Sequence, residues 1–371
     1  MEDFDILKIK KKAIIASVLL LLLPMVLTAC APKKQASDKI LKQPYTKSEF
    51  ILGTICTLTI YNRGKKAALA KGFARIHRSD NEASTTKAKS ELNRVNRYAG
   101  IRPVKVSADM WPMMEKALYY SQDSDAAFDM AIGAITNLWK IGLPGARVPA
   151  QSEIDQALPL VNYQDVVLNA QNRTVFLKKK GMRLDFGGIA KGYIADQVRT
   201  VFRQNGVKNA IINLGGNIIV MGHSPLGKTR PWTVGIQDPV KSRGKTLGSI
   251  PAVDQSIVTA GIYEQYLKKN GHTYIYLMNH KTGYPYDNNL AGVTIVSPNS
   301  VDGDALSNAA FNKGVKAGLA YINAKHDQKI QAIFVTKDKK IYLSNGLKHK
   351  FKLNQKTNYQ LGDPSKLTAT E

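Results

Sequence analysis

Residues 184–196, LDFGGIAKGYIAD, form a short apolar segment that passes through two glycines into a helical pattern. We predict a strand that ends at Asp185 and a turn at Gly187 and Gly188. The helix that follows carries Lys191 in its first turn, where free amide donors and a cation attract phosphate, and Asp185 beside it suits a metal or a sugar hydroxyl. A glycine pair between a strand and a helix is also ordinary turn chemistry, so this stretch alone leaves a ligand site and a plain turn both open.

The helical pattern after the glycines comes from four apolar residues spaced i, i+4, i+7 and i+8 on one stripe. They are Ile194, Val198, Val201 and Phe202. Asn205 and Gly206 form a helix stop signal. The pattern therefore predicts a helix that ends near residue 205.

The first 29 residues have the form of a secretion signal, because four lysines precede an apolar run at residues 13–27. That run is short for a membrane span, and polar residues follow it closely. Residues 27–30, LTAC, resemble the bacterial lipoprotein processing box, which implies cleavage before Cys30 and a lipid on that cysteine. An uncleaved N-terminal anchor is the alternative, and both place the body of the chain outside the cytoplasm.

Cleavage before Cys30 would leave 342 residues with a formal net charge of +24, enough for one large or two modest domains. This charge favours anionic surroundings such as phospholipid, a cell-wall polymer or a phosphate-bearing small molecule, or it is a solvated surface suited to a Gram-positive exterior. Nucleic acid is a poor partner for this chain, because the lysines are scattered and no basic aromatic motif accompanies them.

The cysteines and histidines exclude several site types. With Cys30 lipidated, Cys56 is the remaining thiol, so no internal disulfide can form, and its strand-like surroundings favour a small core residue over a nucleophile. The six histidines have no zinc-type spacing, and the sequence contains neither GxSxG nor HExxH.

The remaining patterns predict an α+β chain. We expect strands at residues 50–61, 166–178 (two short strands), 210–222 (interrupted by Gly215 and Gly216), 232–237, 256–260, 273–278, 293–297, 330–336 and 341–344. We expect helices at residues 65–77, 109–122 and 302–322, and a loop at residues 78–90. Asp129 is isolated among apolar residues, so it needs a partner or a function.

No internal repeat or late linker interrupts the body of the chain, which favours one domain. We expect a flexible tether at residues 30–47, a single compact domain at residues 48–362 and a loose tail at residues 363–371.

Several stretches, in this order, resemble the family of FAD:protein FMN transferases, also called the ApbE family. They are LGT at residues 52–54, STTKAKSELNRVN at 84–96, residues 127–139, LDFGGIAKGYIAD, INLGGNIIVMG at 212–222, WTVGIQDP at 232–239, IVTAGIYEQY at 257–266, KTGYP at 281–285 and GDALSNAAF at 303–311. The resemblance covers nearly the whole mature chain. It implies an α+β domain of the ApbE type, T-fold-like, with mixed and antiparallel sheets packed by helices.

The resemblance also implies the chemistry. An enzyme of this family binds FAD with a divalent metal, usually Mg²⁺, and transfers the FMN half to a threonine of an exported partner protein, releasing AMP. The metal ligands would be the backbone oxygen of Gly188 and the side chains of Asp304 and Asn308; without the resemblance, the last two would be helix-capping groups. The FAD contacts would be Leu52, Thr86, Ala127, Phe128, Asp129, Asp185, Lys191 and Met278.

The chain departs from the family pattern at three places. Asn308 replaces the usual threonine, and Thr86 lies where many members have an aromatic residue. The family stretch HIIDPxTGYP reads YLMNHKTGYP here, so Tyr276 replaces a histidine, Asn279 an aspartate and His280 a proline. A tyrosine is a poor base at neutral pH unless its pKa of ~10 is shifted. Two alternatives to transfer therefore stay open: hydrolysis of the FAD pyrophosphate by water, and a catalytically weak flavin-binding lipoprotein.

Overall fold

The structure, a computed structural model, describes residues 40–368. Its strands are β1 Ile40–Ile51, β2 Thr54–Asn62, β3 Val104–Lys105, β4 Val166–Asn169, β5 Thr174–Leu177, β6 Ala210–Leu214, β7 Asn217–Met221, β8 Trp232–Gln237, β9 Thr246–Ala252, β10 Gln255–Gly261, β11 Tyr266–Lys269, β12 His272–Ile275, β13 Leu290–Ser297, β14 Gln331–Thr336, β15 Lys340–Leu343, β16 Lys352–Leu353 and β17 Gln360–Leu361. Its α-helices are α1 Ala68–Ala83, α2 Glu91–Arg97, α3 Trp111–Asp123, α4 Gly133–Trp139, α5 Gln151–Ala157, α6 Ala190–Gln204 and α7 Ser300–Asn323.

A nine-stranded sheet organises these elements, in the order β1-β2-β6-β7-β10-β13-β14-β15-β17. Neighbours in it run antiparallel except β15 and β17, which are parallel. Alternating residues of β2, β6 and β7 bury one face against α1 and α6. The other face packs against a small sheet of order β16-β9-β8, where Trp232, Val234 and Ile236 are buried. The predicted α+β domain with mixed and antiparallel sheets is confirmed.

The predicted helices are present with shifted ends. Helix α6 ends where the stop signal placed it, with Asn205 as C-cap and Gly206 at φ 72°. Helix α3 carries Pro112 in its first turn, which suits proline because that amide has no helical partner. Helix α1 continues to Ala83, so the loop expected at residues 78–90 was partly wrong; its buried Ser79 and Ala83 extend the helix's core face.

Several strand predictions were wrong in detail. Residues 210–222 are a hairpin of two strands, because Gly215 and Gly216 both take positive φ and reverse the chain. The strand expected before Asp185 reduces to an isolated bridge between Ile132 and Arg183. The strand expected at residues 273–278 stops at Ile275.

The two ends of the domain also differ from expectation. Residues 40–47, assigned to the tether, form the first part of β1, because they pair with β2 across the hairpin. Residues 364–366 form a 3₁₀ turn and Leu367 is buried against the main core, so that part of the tail is not loose. The predicted signal segment, Cys30 and the rest of the tether lie outside the described residues. Between residues 40 and 368, no helix is long and apolar enough to cross a membrane.

Candidate active site

A cavity of about 690 Å³ opens between the β1–β2 turn, the glycine turn before α6 and one face of α7. Ten of the eleven predicted FAD and metal residues line it: Leu52, Thr86, Ala127, Phe128, Asp129, Asp185, Gly188, Lys191, Met278 and Asn308. The eleventh, Asp304, is buried one helical turn before Asn308 on α7. The fold therefore brings together segments that span more than 250 residues of sequence, although the role of each residue stays a prediction.

The glycine turn is held by a buried amide. Asn96 accepts a hydrogen bond from the backbone N–H of Leu184 at 2.7 Å and donates one to the carbonyl of the same residue at 3.0 Å. Gly188 packs closely, because a Cβ there would lie 3.1 Å from the Asn308 side chain and 3.3 Å from Phe128 and would need those side chains to shift by a few tenths of an ångström. Its backbone is therefore pressed against α7, which is the close approach that the glycine pair predicted.

Helix α6 is locked to α7 by the last residue of the motif. Asp196 accepts hydrogen bonds from the backbone N–H groups of Ser300 and Val301 at 3.0 and 2.9 Å, so it caps the N-terminus of α7 from outside. Gly192 lies at the helix crossing, where a Cβ would be 2.2 Å from the carbonyl oxygen of Ser300. The motif thereby fixes the position of Asp304 as well as that of its own turn.

Asp304 is a buried carboxylate beside the motif. Its Oδ2 accepts a hydrogen bond from the Gly192 N–H at 2.9 Å. Burial raises the pKa of Asp304, whereas the charge of Lys191, the Gly192 N–H and the Asn217 side chain lower it. Because burial disfavours the charged form of Asp304, a cation placed against the carboxylate would stabilise it strongly.

Two amides continue the same face of α7. Asn308 donates to the carbonyl of Asp304 at 2.8 Å and to that of Gly188 at 3.4 Å. Asn312, a further turn along, donates to the carbonyl of Ala127 at 2.5 Å, and its buried Oδ1 has no hydrogen-bond partner. Asn312 was missed by sequence reasoning, although its i+4 spacing from Asn308 was a signal.

The donors at this point fit a hard cation. They are the Asp304 carboxylate, the Gly188 carbonyl and the Asn308 amide, whose Nδ2 donates to the backbone carbonyls of Gly188 and Asp304. The Asn308 amide would have to present its Oδ1 to hold a cation. Mg²⁺ takes oxygen ligands and often uses one or two carboxylates, with substrate phosphates and water completing its shell. Among residues 40–368, no cluster of three or more His, Cys, Asp and Glu side chains is placed to hold a metal. A cation here would therefore depend on the phosphates of its ligand.

Charged groups that the sequence reasoning left unassigned complete the cavity. Glu264 lines it and pairs with Arg243, whose Nη2 lies 3.6 Å from Glu264 Oε2. Burial raises the pKa of Glu264, and the charge of Lys191 lowers it. Glu264 belongs to the quoted stretch IVTAGIYEQY, whereas nothing in the sequence pointed to Arg243, which comes from the β8–β9 loop.

Tyr276 and His280 both line the cavity. Burial raises the pKa of Tyr276 well above its ordinary value, and the charges of Glu264 and Asp304 raise it further. Tyr276 therefore stays protonated at neutral pH. Burial and the charge of Lys281 lower the pKa of His280, which keeps its imidazole neutral, and its buried Nδ1 has no hydrogen-bond partner.

Asp185 and Asp129, two predicted FAD contacts, have hydrogen-bond partners within the protein. Asp185 accepts hydrogen bonds from the Thr136 hydroxyl at 2.6 Å and the Gly187 N–H at 2.7 Å. Asp129 accepts from the backbone N–H groups of Ala131 at 2.7 Å and Tyr163 at 3.2 Å. Asp129 thus has the partner that its apolar surroundings required, and burial raises its pKa to about 6.

The cavity wall at the β1–β2 turn is strained. Leu52 has φ 59° and Gly53 has φ 69°, which are the left-handed values of a tight hairpin turn. A leucine in this region costs of order 1–3 kcal/mol, and such strain concentrates at ligand-binding positions. The strained Leu52 faces the same cavity as Lys191.

The α+β fold places this chain in a class of proteins for which a solved structure and named relatives are known. The crystal structure of the ApbE protein from Thermotoga maritima has a TM-score of 0.77 and 25% identity, covering 83% of this chain and 99% of that one. A protein of Klebsiella pneumoniae (strain 342) named FAD:protein FMN transferase is 37% identical over 83% of this chain and 94% of its own length. One of Treponema pallidum (strain Nichols) with the same name is 31% identical, covering 82% and 87%.

The particular family follows from these matches. The ApbE family matches residues 52–334, which include every predicted FAD and metal residue. This chain belongs to the ApbE family.

Proposed function

We propose that this protein is an FAD:protein FMN transferase that attaches FMN to a threonine of an exported acceptor protein. The single observation that carries the proposal is that Gly188 and Lys191 line one cavity while the buried Asp304 is hydrogen-bonded to Gly192, the residue after Lys191. These groups suit the proposal because cleaving a pyrophosphate needs charge neutralisation at its phosphates. The relatives that carry this name at 31–37% identity, over most of both chains, support the same activity.

The reaction balances as an exchange of phosphorus–oxygen bonds. The bond between the two phosphates of FAD breaks, a bond forms between the FMN phosphorus and the threonine Oγ, and AMP leaves with the bridging oxygen. The threonine proton is released. Bound Mg²⁺ would supply charge neutralisation at the phosphates.

The residues of this chain have separate tasks in that reaction. Asp304, the carbonyl of Gly188 and the amide of Asn308 would hold the cation, and Lys191 at the start of α6 would pair with a phosphate. Tyr276 would act as a hydrogen-bond donor to the ligand, because its raised pKa keeps the hydroxyl protonated and excludes it as a base at neutral pH. Leu52, Phe128 and Met278 offer apolar contact to the rings of FAD.

The location of the enzyme is part of the proposal. The LTAC stretch supports a lipid on Cys30, which would hold the domain on the outer face of the cell membrane of a Gram-positive cell. Covalent lipid at that cysteine, detected by mass spectrometry of the membrane-extracted protein, tests this point.

One experiment separates transfer from its alternatives. The protein is incubated with FAD, Mg²⁺ and a threonine-bearing acceptor domain, and products are followed by mass spectrometry. A flavin-sized mass gain on the acceptor supports the transferase, and its loss when that threonine becomes alanine fixes the attachment point. AMP release without the mass gain indicates a pyrophosphatase, and intact FAD retained on the protein indicates a binding lipoprotein.

A further inference from the structure

Two buried polar atoms in the cavity wall have no hydrogen-bond partner within the part of the chain that the structure describes. They are Asn312 Oδ1 and His280 Nδ1, and both residues line the cavity. A buried polar atom without a partner is destabilising, so folded proteins satisfy nearly all such atoms with protein, water or ligand. The wall therefore offers two hydrogen-bonding positions to whatever fills the cavity.

The Asn312 amide is oriented by its other end. Its Nδ2 donates to the Ala127 carbonyl at 2.5 Å, so the amide cannot turn over without losing that hydrogen bond. Oδ1 is therefore the free atom, and it can only accept. Asn312 follows Asp304 by two turns of α7, about 12 Å along the helix axis. The acceptor thus lies beyond the proposed phosphate site, in the direction in which a ring of a dinucleotide would extend.

His280 lies near the contact between Asn312 and Ala127. The charges of Asp125 and Lys313 both act on its imidazole, and these two residues are close in the chain to Ala127 and Asn312. The imidazole is neutral, so one ring nitrogen donates and the other accepts. Nδ1 of His280 can therefore supply the donor that the Asn312 oxygen lacks.

The loop that carries His280 is fixed from both sides. Asn279 Oδ1 accepts a hydrogen bond from the Lys281 N–H at 2.8 Å, and the Asn279 carbonyl accepts one from the Gly283 N–H at 2.8 Å. Trp139 Nε1 donates to the Gly283 carbonyl at 2.9 Å. The imidazole is therefore held in place before any ligand enters, which lowers the entropic cost of binding.

Apolar side chains complete the wall around these two polar groups. Phe128 and Met278 are both buried and both line the cavity. Phe128 also reaches the glycine turn, since a Cβ on Gly188 would lie 3.3 Å from its ring. An apolar wall with a few fixed polar groups is typical of a pocket that selects its ligand by hydrogen bonding.

We propose that Asn312 and His280 form a recognition pair for the edge of a nitrogen heterocycle on which a donor lies beside an acceptor. Asn312 Oδ1 accepts from the ring's donor, and His280 Nδ1 donates to its acceptor. The proposal rests on the proposed function in taking FAD as the ligand. Both rings of FAD present such an edge: adenine has its amine beside a ring nitrogen, and the flavin has its imide N–H beside a carbonyl.

The test measures Kd by isothermal titration calorimetry on the purified full chain, with FAD, FMN and AMP in the presence of Mg²⁺. The variants are Asn312→Ala and His280→Ala. The matched control is Asn288→Ala, because Asn288 also donates its amide to a carbonyl of α7, that of Phe311 at 2.9 Å, and does not line the cavity. Two further ligands lack the donor of one ring: 3-methyl-FMN and purine riboside monophosphate.

We expect each variant to bind FAD about tenfold more weakly than wild type and to lose affinity for only one of FMN and AMP, which identifies the ring. For that ring, removing the ligand's donor should weaken wild-type binding about tenfold and leave binding by Asn312→Ala unchanged. Such coupling between protein and ligand would not follow from a loss of structure.

Three outcomes overturn the recognition pair. Unchanged Kd values in both variants show that water alone satisfies the two atoms. Equal weakening of FMN and AMP, or an equal loss in Asn288→Ala, shows that the effect is structural.

Failure of the proposed function has a different signature. If the variants behave as expected but the wild-type chain adds no flavin mass to an acceptor, the recognition pair stands and the transferase assignment is wrong. If the wild-type chain transfers FMN while both variants bind FAD normally, the recognition pair alone is wrong.

Discussion

Replacing Asp304 by asparagine removes one negative charge from beside the cavity and leaves the side-chain shape nearly unchanged. If Asp304 holds the cation, Mg²⁺ at 100 times the wild-type Kd stabilises the wild-type fold by about 2.7 kcal/mol. In a domain of this size, 1 kcal/mol shifts Tm by roughly 2 °C, so Mg²⁺ should raise the wild-type Tm by roughly 5 °C. Loss of an outer-shell partner alone weakens metal affinity about 10–100-fold, and loss of the sole carboxylate should cost at least ~100-fold. The same Mg²⁺ concentration then raises the Tm of Asp304→Asn by only about 1 °C.

The assay is a Mg²⁺ titration at a fixed, saturating concentration of FAD, followed by differential scanning calorimetry, with AMP release from FAD measured on the same samples. Asp302→Asn is the matched control, because Asp302 is buried on the same helix but accepts its hydrogen bonds from Tyr120 and Asn299. The control should lose stability and keep its Mg²⁺ shift. A full Mg²⁺ shift in Asp304→Asn, with AMP release at the wild-type rate, would refute the assignment of Asp304 as a metal ligand.

Three further predictions concern the charge, burial and packing around the cavity. Lys191→Met should weaken FAD binding about 10–100-fold, the worth of a charge-assisted hydrogen bond; an unchanged Kd in isothermal titration calorimetry removes Lys191 from the phosphate site. Burial raises the pKa of Asp129 from 3.8 to about 6, so the folded state binds this proton more tightly than the unfolded chain. The resulting stability is present below pH 3.8 and is lost as pH rises through 6, about 3 kcal/mol in all. In urea unfolding, Asp129→Asn should reduce the decline between pH 4 and 7 by about that amount, while the part contributed by Asp196 and Glu82, whose pKa values burial raises to about 6 and about 7, persists. A decline of unchanged size in the variant contradicts the raised pKa of Asp129. Gly192→Ala should destabilise the fold by ~2–3 kcal/mol, because the added carbon would lie 2.2 Å from the Ser300 carbonyl oxygen; an unaltered unfolding midpoint contradicts the tight crossing of α6 and α7.

The family resemblance predicted more of the candidate site than the residues alone did. Periodicity predicted α6 and its end at Asn205, but it offered no reason to connect Gly188 with Asp304, which is 116 residues away. The resemblance to the family supplied the connection between Gly188 and Asp304, because it assigned both to one metal site. The hydrogen bond from the Gly192 N–H to Asp304 shows that the two segments are neighbours. The residue-level roles at this junction remain predictions that the variants above test.

By itself the amino-acid sequence determined much of the local structure: that the long helices α1, α3, α6 and α7 form, where α6 stops, and that Asp129 needs a partner. These properties depend on residues within a few positions of one another, and spacing reports them directly. The sequence did not predict the short helices α4 and α5. Only the tertiary structure decided that residues 210–222 reverse as a hairpin, that Arg243 reaches Glu264, and that His280 and Asn312 line one cavity. Those outcomes depend on sheet pairing and layer packing between segments far apart in the chain, and no local pattern encodes which distant surface will cover a given face.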